Sequence, residues 1–249
     1  VDAFGVPQLD RIASGTGPVL LTLALSHSEV GTAELDAVSR QLKHLESERV
    51  FLLCDACQGL GYLDVTSPLP AATIISGHKM YGPTGIAALA VPDGLWPMAV
   101  RAYLEGERGT PNLPGLVGLQ TALEILMDVR HAEAKRLELL RSKLWAGLRE
   151  LWPDVRLNGP DWTSCSEPRR HPGNLNFQGP VAANKVLTWL NQHQIYATSA
   201  SACTRGGPSK VLPELGLTAD AVRRSLRFGI GRSTRDADIE RVLDVLALM

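Results

Sequence analysis

Short apolar runs, each too brief for a helix, recur through the first third of the sequence and constrain the fold more than any other feature. They are Val19 to Leu25, Val50 to Leu53, Ala71 to Ile75 and Ile86 to Val91. After the first run, Leu35, Val38, Leu42 and Leu45 follow at helical spacing. Strands that are apolar on both faces and joined by crossovers belong to a sheet covered on both sides, so an α/β fold with a mainly parallel sheet and flanking helices is expected. In such sheets ligands gather at the carboxyl ends of the strands.

The rest of the chain changes character. Residues 92 to 116 are rich in Pro, Gly and charge and read as an irregular loop. From Val117 to Trp152 apolar residues keep a helical period, with Pro153 as the stop. Shorter elements follow: a strand at Asn174 to Phe177, a helix at Ala182 to Gln192, and strands at Ile195 to Thr198 and Leu226 to Ile230. Ser233-Thr234-Arg235-Asp236 precedes a last amphipathic helix, as an N-cap would. The pattern predicts a large lobe over residues 1–116, a connecting helix over 117–152 and a small C-terminal α+β lobe over 153–249.

Composition removes other classes. The 249 residues are 45% hydrophobic, which excludes disorder, yet no apolar run reaches the roughly 20 residues that cross a bilayer. A formal net charge of −1 argues against a standing nucleic-acid surface. The four cysteines, Cys54, Cys57, Cys165 and Cys203, are too few and too scattered for a disulfide framework. The opening VDAFGVPQLDRIASG has no basic stretch followed by an apolar one, so a reducing, cytoplasmic setting is expected.

Several residues invite chemistry. Lys79, in Ser76-Gly77-His78-Lys79-Met80-Tyr81-Gly82-Pro83, directly follows a buried strand. That placement suits either a desolvated Schiff-base lysine with anion-holding neighbours or a basic surface turn. Asp55, with Gln58 three residues on, ends another apolar strand. A carboxylate there either caps a turn or pairs with a protonated ligand nitrogen. Cys54 and Cys57 form a Cys-x-x-Cys pattern, but no second ligand pair accompanies it, so buried packing is preferred over zinc or redox chemistry. Cys203 lies among small, turn-forming residues beside Arg205, a setting for an accessible thiolate or for a bystander thiol. Arg227 stands inside an apolar strand, where a guanidinium suits a carboxylate ligand or an internal acid.

Taken in order, SGHKMYGPTGIAAL, CDACQGLGYLDV, SASACT and SLRFGIGRST make the chain resemble the NifS-type cysteine desulfurases, which have the fold-type I architecture and use pyridoxal 5'-phosphate. The resemblance implies that Lys79 carries the cofactor and moves substrate protons, that Asp55 holds the pyridine nitrogen protonated, and that Gln58 contacts the phenolic oxygen. It assigns the cofactor phosphate to Ser76 and His78, a phosphate contact across a homodimer to Thr110, and the carboxylate of L-cysteine to Arg227. Cys203 takes the sulfur as a persulfide, and a sulfur-acceptor protein receives it.

Ser28, in His27-Ser28-Glu29-Val30-Gly31-Thr32, stands near the phenolic oxygen where the family usually has asparagine. The Glu107 to Thr110 segment and the loop from Cys203 to Ser209 are shorter than the usual pattern, a combination closest to the desulfurases that serve bacterial DNA phosphorothioation; iron–sulfur cluster assembly is the other pathway implied. Neither membrane nor direct nucleic-acid binding is expected. The family also places a further N-terminal region before Val1, so this chain is expected to be part of a longer protein. Two other readings remain: a related lyase such as a selenocysteine lyase or an aminotransferase-like relative, and a non-catalytic module that docks sulfur acceptors.

Overall fold

The computed structural model describes residues 1–3, 5–9, 12, 17–43, 49–63, 71–91, 110–162, 169–200 and 207–249. Residues 92–109 of the loop expected over 92–116, Cys165 and the Cys203 segment lie outside the described residues. The chain forms two compact units: Gln8–Ser26 with Glu34–Arg130, and Val1–Pro7 with His27–Ala33 and His131–Met249.

The first unit is built on a four-stranded sheet in the order β1 (Val19–Ala24), β2 (Val50–Asp55), β3 (Ala71–Ser76) and β4 (Ala87–Ala90). The first three strands are parallel and β4 joins antiparallel to β3. Helix α1 (Glu34–Leu42) supplies a crossover and buries Leu35, Val38 and Leu42. The apolar strand runs thus become sheet, although among the described residues the expected cover lies on one face alone.

The two faces of this sheet differ. Leu21, Leu23, Leu52 and Cys54 are buried on one face. On the other, Leu20 is 69% exposed, Phe51 43% and Leu89 44%. Register aligns Leu20 with Phe51, Ala24 with Asp55, Asp55 with Ile74 and Ser76 with Ala87. Because side chains alternate along a strand, Asp55 and Ser76 share the open face with Leu20 and Phe51.

Helix α2 (Leu113–Leu151) fulfils the long helical period, starting four residues earlier than Val117. Its first part places Leu119, Ala122 and Leu126 against Met80, with Ile75, Ile86 and Ala88 packed around them.

The second unit holds the remainder of α2 and an antiparallel sheet of β5 (Arg156–Leu157), β6 (Asn174–Gln178) and β7 (Ser225–Gly229). Helices α3 (Ala183–Gln192), α4 (Ala219–Arg223) and α5 (Asp236–Ala247) complete it. The expected strand at Ile195 to Thr198 reduces to one bridge between Thr198 and Arg227. The expected cap before α5 is also placed differently: Asp238 accepts from the Arg235 N–H at 2.8 Å, while Thr234 Oγ1 accepts from Gly231 N. An acid in the first turn satisfies the open N–H and suits the helix dipole.

Aromatic packing closes this core. Phe177 is fully buried, stacked on Phe228 with centroids 6.0 Å apart and edge-on to Trp145 at 6.2 Å. Phe177→Ala is expected to cost about 3–5 kcal/mol, since cavity and lost transfer energy add. Chemical denaturation monitored by far-UV circular dichroism measures it.

Candidate functional site

β3 delivers its carboxyl end into a 3-10 turn, Gly77–Met80, which carries His78 and Lys79. Met80 anchors the turn through its contacts with Leu119, Ala122 and Leu126. Gly77 has no room for a side chain: an added Cβ would lie 2.8 Å from Ile86 Cγ2 and 2.9 Å from Pro83 O. Tyr81 closes the turn in the left-handed conformation at φ 65°. Packing on one side therefore leaves His78 and Lys79 exposed on the other.

Of the two settings that the sequence leaves open for Lys79, this structure shows it exposed on the turn. Buried apolar residues flank the turn, but the amine itself projects from it. Among the described residues it has no hydrogen-bond or ion-pair partner. Ser76 Oγ and His78 Nδ1 stand 3.0 Å apart, a hydroxyl and an imidazole side by side.

Asp55 is also exposed, at the end of β2 beside β3. Its Oδ1 accepts from Cys57 N at 2.9 Å, so it caps the following turn. Gln58 is half-buried in the same turn, and Thr110 is exposed ahead of α2. One end of one sheet thus presents an acid, an amine, a hydroxyl and an imidazole. That donor set fits pyridoxal phosphate: an acid for a ring N–H, an amine for an aldehyde, and a hydroxyl and imidazole for a phosphate.

The Cys-x-x-Cys thiols lie beside these groups. Burial, then the charges of Asp55 and Glu34, push Cys54 up to about 11. Burial, with a hydrogen bond to Asp55, pushes Cys57 up to about 11 as well. A thiol held protonated is a poor nucleophile. Among the described residues no cluster of metal-ligating side chains occurs.

Ser28 and Arg227 belong to the second unit. The segment His27–Ala33 is tied in by Gly31 N to His27 O and His171 N to Gly31 O, at 2.8 and 2.7 Å. Gly31 has φ +78° and an added Cβ would lie 2.7 Å from Asn174 Oδ1, so only glycine serves. The Asn174 and Asn176 amides donate to Glu29 O at 3.1 and 2.9 Å. Arg227, in β7, donates from Nη1 to Ser28 O at 2.7 Å and from Nε to Thr198 Oγ1 at 3.2 Å. Ser28 therefore acts here through its backbone oxygen.

Glu34 went unmarked in the sequence, hidden at the start of an amphipathic helix. Its Oε2 accepts from the Ala24 N–H at 3.0 Å, next to Asp55 in the adjoining strand. Burial pushes its carboxyl up to about 7; the Ala24 hydrogen bond opposes this and the Asp55 charge adds to it. A raised folded-state value means the unfolded chain releases this proton first, so stability falls as pH rises from 4.5 to about 7. Glu34→Gln, which keeps an acceptor for Ala24 N–H, is expected to stabilise the fold by about 3 kcal/mol near pH 8 and to change little near pH 4. Urea denaturation at the two pH values checks both signs.

Comparison with known proteins agrees with this geometry. Aminotransferase class-V matches residues 1–242. A cysteine desulfurase IscS of Clostridium botulinum strain Hall is 32% identical over 241 residues, 92% of this chain and 58% of its own length. A cysteine desulfurase of Nostoc sp. is 33% identical over 258 aligned residues, 99% of this chain and 62% of its own length. The chain thus spans about three-fifths of these relatives. Among solved structures, a NifS-like protein superposes with a TM-score of 0.80 at 22% identity, covering 100% of this chain and 66% of that one. DndA from Streptomyces lividans superposes at 0.65 with 25% identity, covering 92% and 65%. The parallel sheet with a lysine turn at its carboxyl end, and a family match over nearly every residue, place this chain in the class-V aminotransferase family.

Proposed function

We propose that the protein is a pyridoxal-phosphate-dependent cysteine desulfurase that converts L-cysteine to L-alanine. One observation carries the reading: Asp55, Ser76, His78 and Lys79 converge at the carboxyl end of the parallel strands, in a chain similar to cysteine desulfurases. When bound, the cofactor supplies an electron sink that lets the α-proton of the amino acid leave and loosens its bond to sulfur.

The chain's own residues do the rest. Asp55 keeps a proton on the ring nitrogen, Ser76 and His78 hold the phosphate, and Gln58 contacts the phenolic oxygen. Lys79 holds the cofactor through its amine and carries the α-proton. Arg227 clamps the substrate carboxylate, for which a guanidinium fork is the fitting partner. The Cys203 thiolate forms a bond to the substrate sulfur while the carbon–sulfur bond breaks, leaving its electron pair on the carbon that becomes the methyl of alanine. The persulfide then serves an acceptor protein in iron–sulfur cluster assembly or DNA phosphorothioation.

The protein acts as a cytoplasmic homodimer in this reading. Leu113, Leu116 and Val117 are exposed just after Thr110, apolar surface beside the residue assigned to the cross-subunit phosphate contact.

Adding pyridoxal phosphate is expected to produce a band near about 400 nm in the wild type and in Cys203→Ser, and none in Lys79→Ala. Alanine production from L-cysteine should fall by at least about a hundredfold in Cys203→Ser. Unchanged alanine production in that variant would favour a lyase in which the thiol is incidental, and absence of the band in the wild type would favour a docking module.

A further inference from the structure

Glu29 has no assigned role, yet it is 0% exposed and, among the described residues, neither carboxylate oxygen has a hydrogen-bond partner. Its backbone is held firmly: Asn174 and Asn176 grip its carbonyl oxygen, and its N–H donates to His27 Nδ1 at 3.3 Å. A buried carboxylate left without donors is costly, and a nearby opposite charge offsets part of that cost. Its charge acts on two titratable neighbours, His27 and Arg227.

His27 does not compensate it. Burial is the main cause that holds its imidazole below the ordinary value, and Nδ1 is already turned towards the Glu29 and Val30 N–H groups. Arg227 remains. Burial weakens its hold on the proton, and Glu29 opposes that effect.

The two groups do not touch. Arg227 uses Nη1 and Nε on neutral oxygens of Ser28 and Thr198, and no ion pair joins it to Glu29. Among the described residues its Nη2 has no partner, so the guanidinium fork is not filled by an internal acid. A through-space counter-charge keeps the cation in place while leaving its donors for a ligand carboxylate, and it also lowers the positive potential that such a ligand meets.

We propose that Glu29 is a positioning residue that sets the strength of Arg227 as a carboxylate clamp, weakening the grip on amino-acid carboxylates so that product leaves. This rests on the assignment of Arg227 to the substrate carboxylate. Neutralising Glu29 without changing its shape tightens binding of any α-amino acid at the site, and it does so only while Arg227 is present.

The test is calorimetric titration of the cofactor-loaded protein with L-alanine, which carries the carboxylate and no transferable sulfur. Glu29→Gln is expected to lower the dissociation constant roughly tenfold and leave the melting temperature unchanged or higher. In an Arg227→Gln background the same substitution should do nothing. Unchanged or weaker alanine binding in Glu29→Gln overturns the proposal. Failure of that variant to fold overturns it too, because a carboxylate without partners has no hydrogen bonds to lose. If Arg227→Gln alone leaves alanine binding intact, the carboxylate assignment of Arg227 fails instead.

Discussion

Parallel pairing of β1, β2 and β3 is the constraint on which the candidate site depends. Parallel strands end on the same side, so the residues that close β2 and β3 are brought to one edge whatever lies between them in sequence. Asp55 and Ser76 share a face because the register aligns Asp55 with Ile74 and side chains alternate from there. The turn that follows β3 extends the same edge, and Met80 locks it onto α2 while Lys79 stays outside. Function and packing thus divide a four-residue turn between them.

The second unit solves a different problem, that of holding an irregular segment without exposing its backbone. β6 reads Asn174-Leu175-Asn176-Phe177-Gln178, with amides and apolar residues alternating strictly. Leu175 and Phe177 enter the aromatic core. The amides face the other way: Asn174 and Asn176 take Glu29 O, and Asn158 bridges Asn176 Oδ1 and Ser225 Oγ at 2.8 and 3.0 Å. Buried amides are costly unless satisfied, and here they are satisfied by one another and by the segment they grip. That grip fixes Ser28 O as an acceptor for Arg227, so β6 helps to orient a guanidinium carried by its neighbour β7.

Much of this was legible beforehand. Apolar runs announce strands because a two-sided strand needs apolar residues throughout, and the helix from Leu113 to Leu151 announces itself by its period. Lys79, Asp55 and Arg227 stood out because a charge at the end or middle of an apolar run demands a reason. Glu34 and Glu29 did not, since one opens an amphipathic helix and the other lies in a short polar stretch. Their burial arises from chain brought over them by the fold, and no local pattern reports that. The alternating amides of β6 were a readable signal, as a half-buried strand seldom spends every polar position on an amide.

Sequence alone determined the α/β class and most of the order of elements, because these follow from hydrophobic period, and it singled out Lys79, Asp55 and Arg227 as charges that are costly where they stand; the roles given to them come from the resemblance. Tertiary structure decided which face of the sheet carries Asp55 and Ser76, that Lys79 is open to solvent, and that Glu29 is buried without a donor among the described residues. Those properties depend on register and on distant chain packing overhead, and a one-residue shift in pairing would reverse every one of the strand faces.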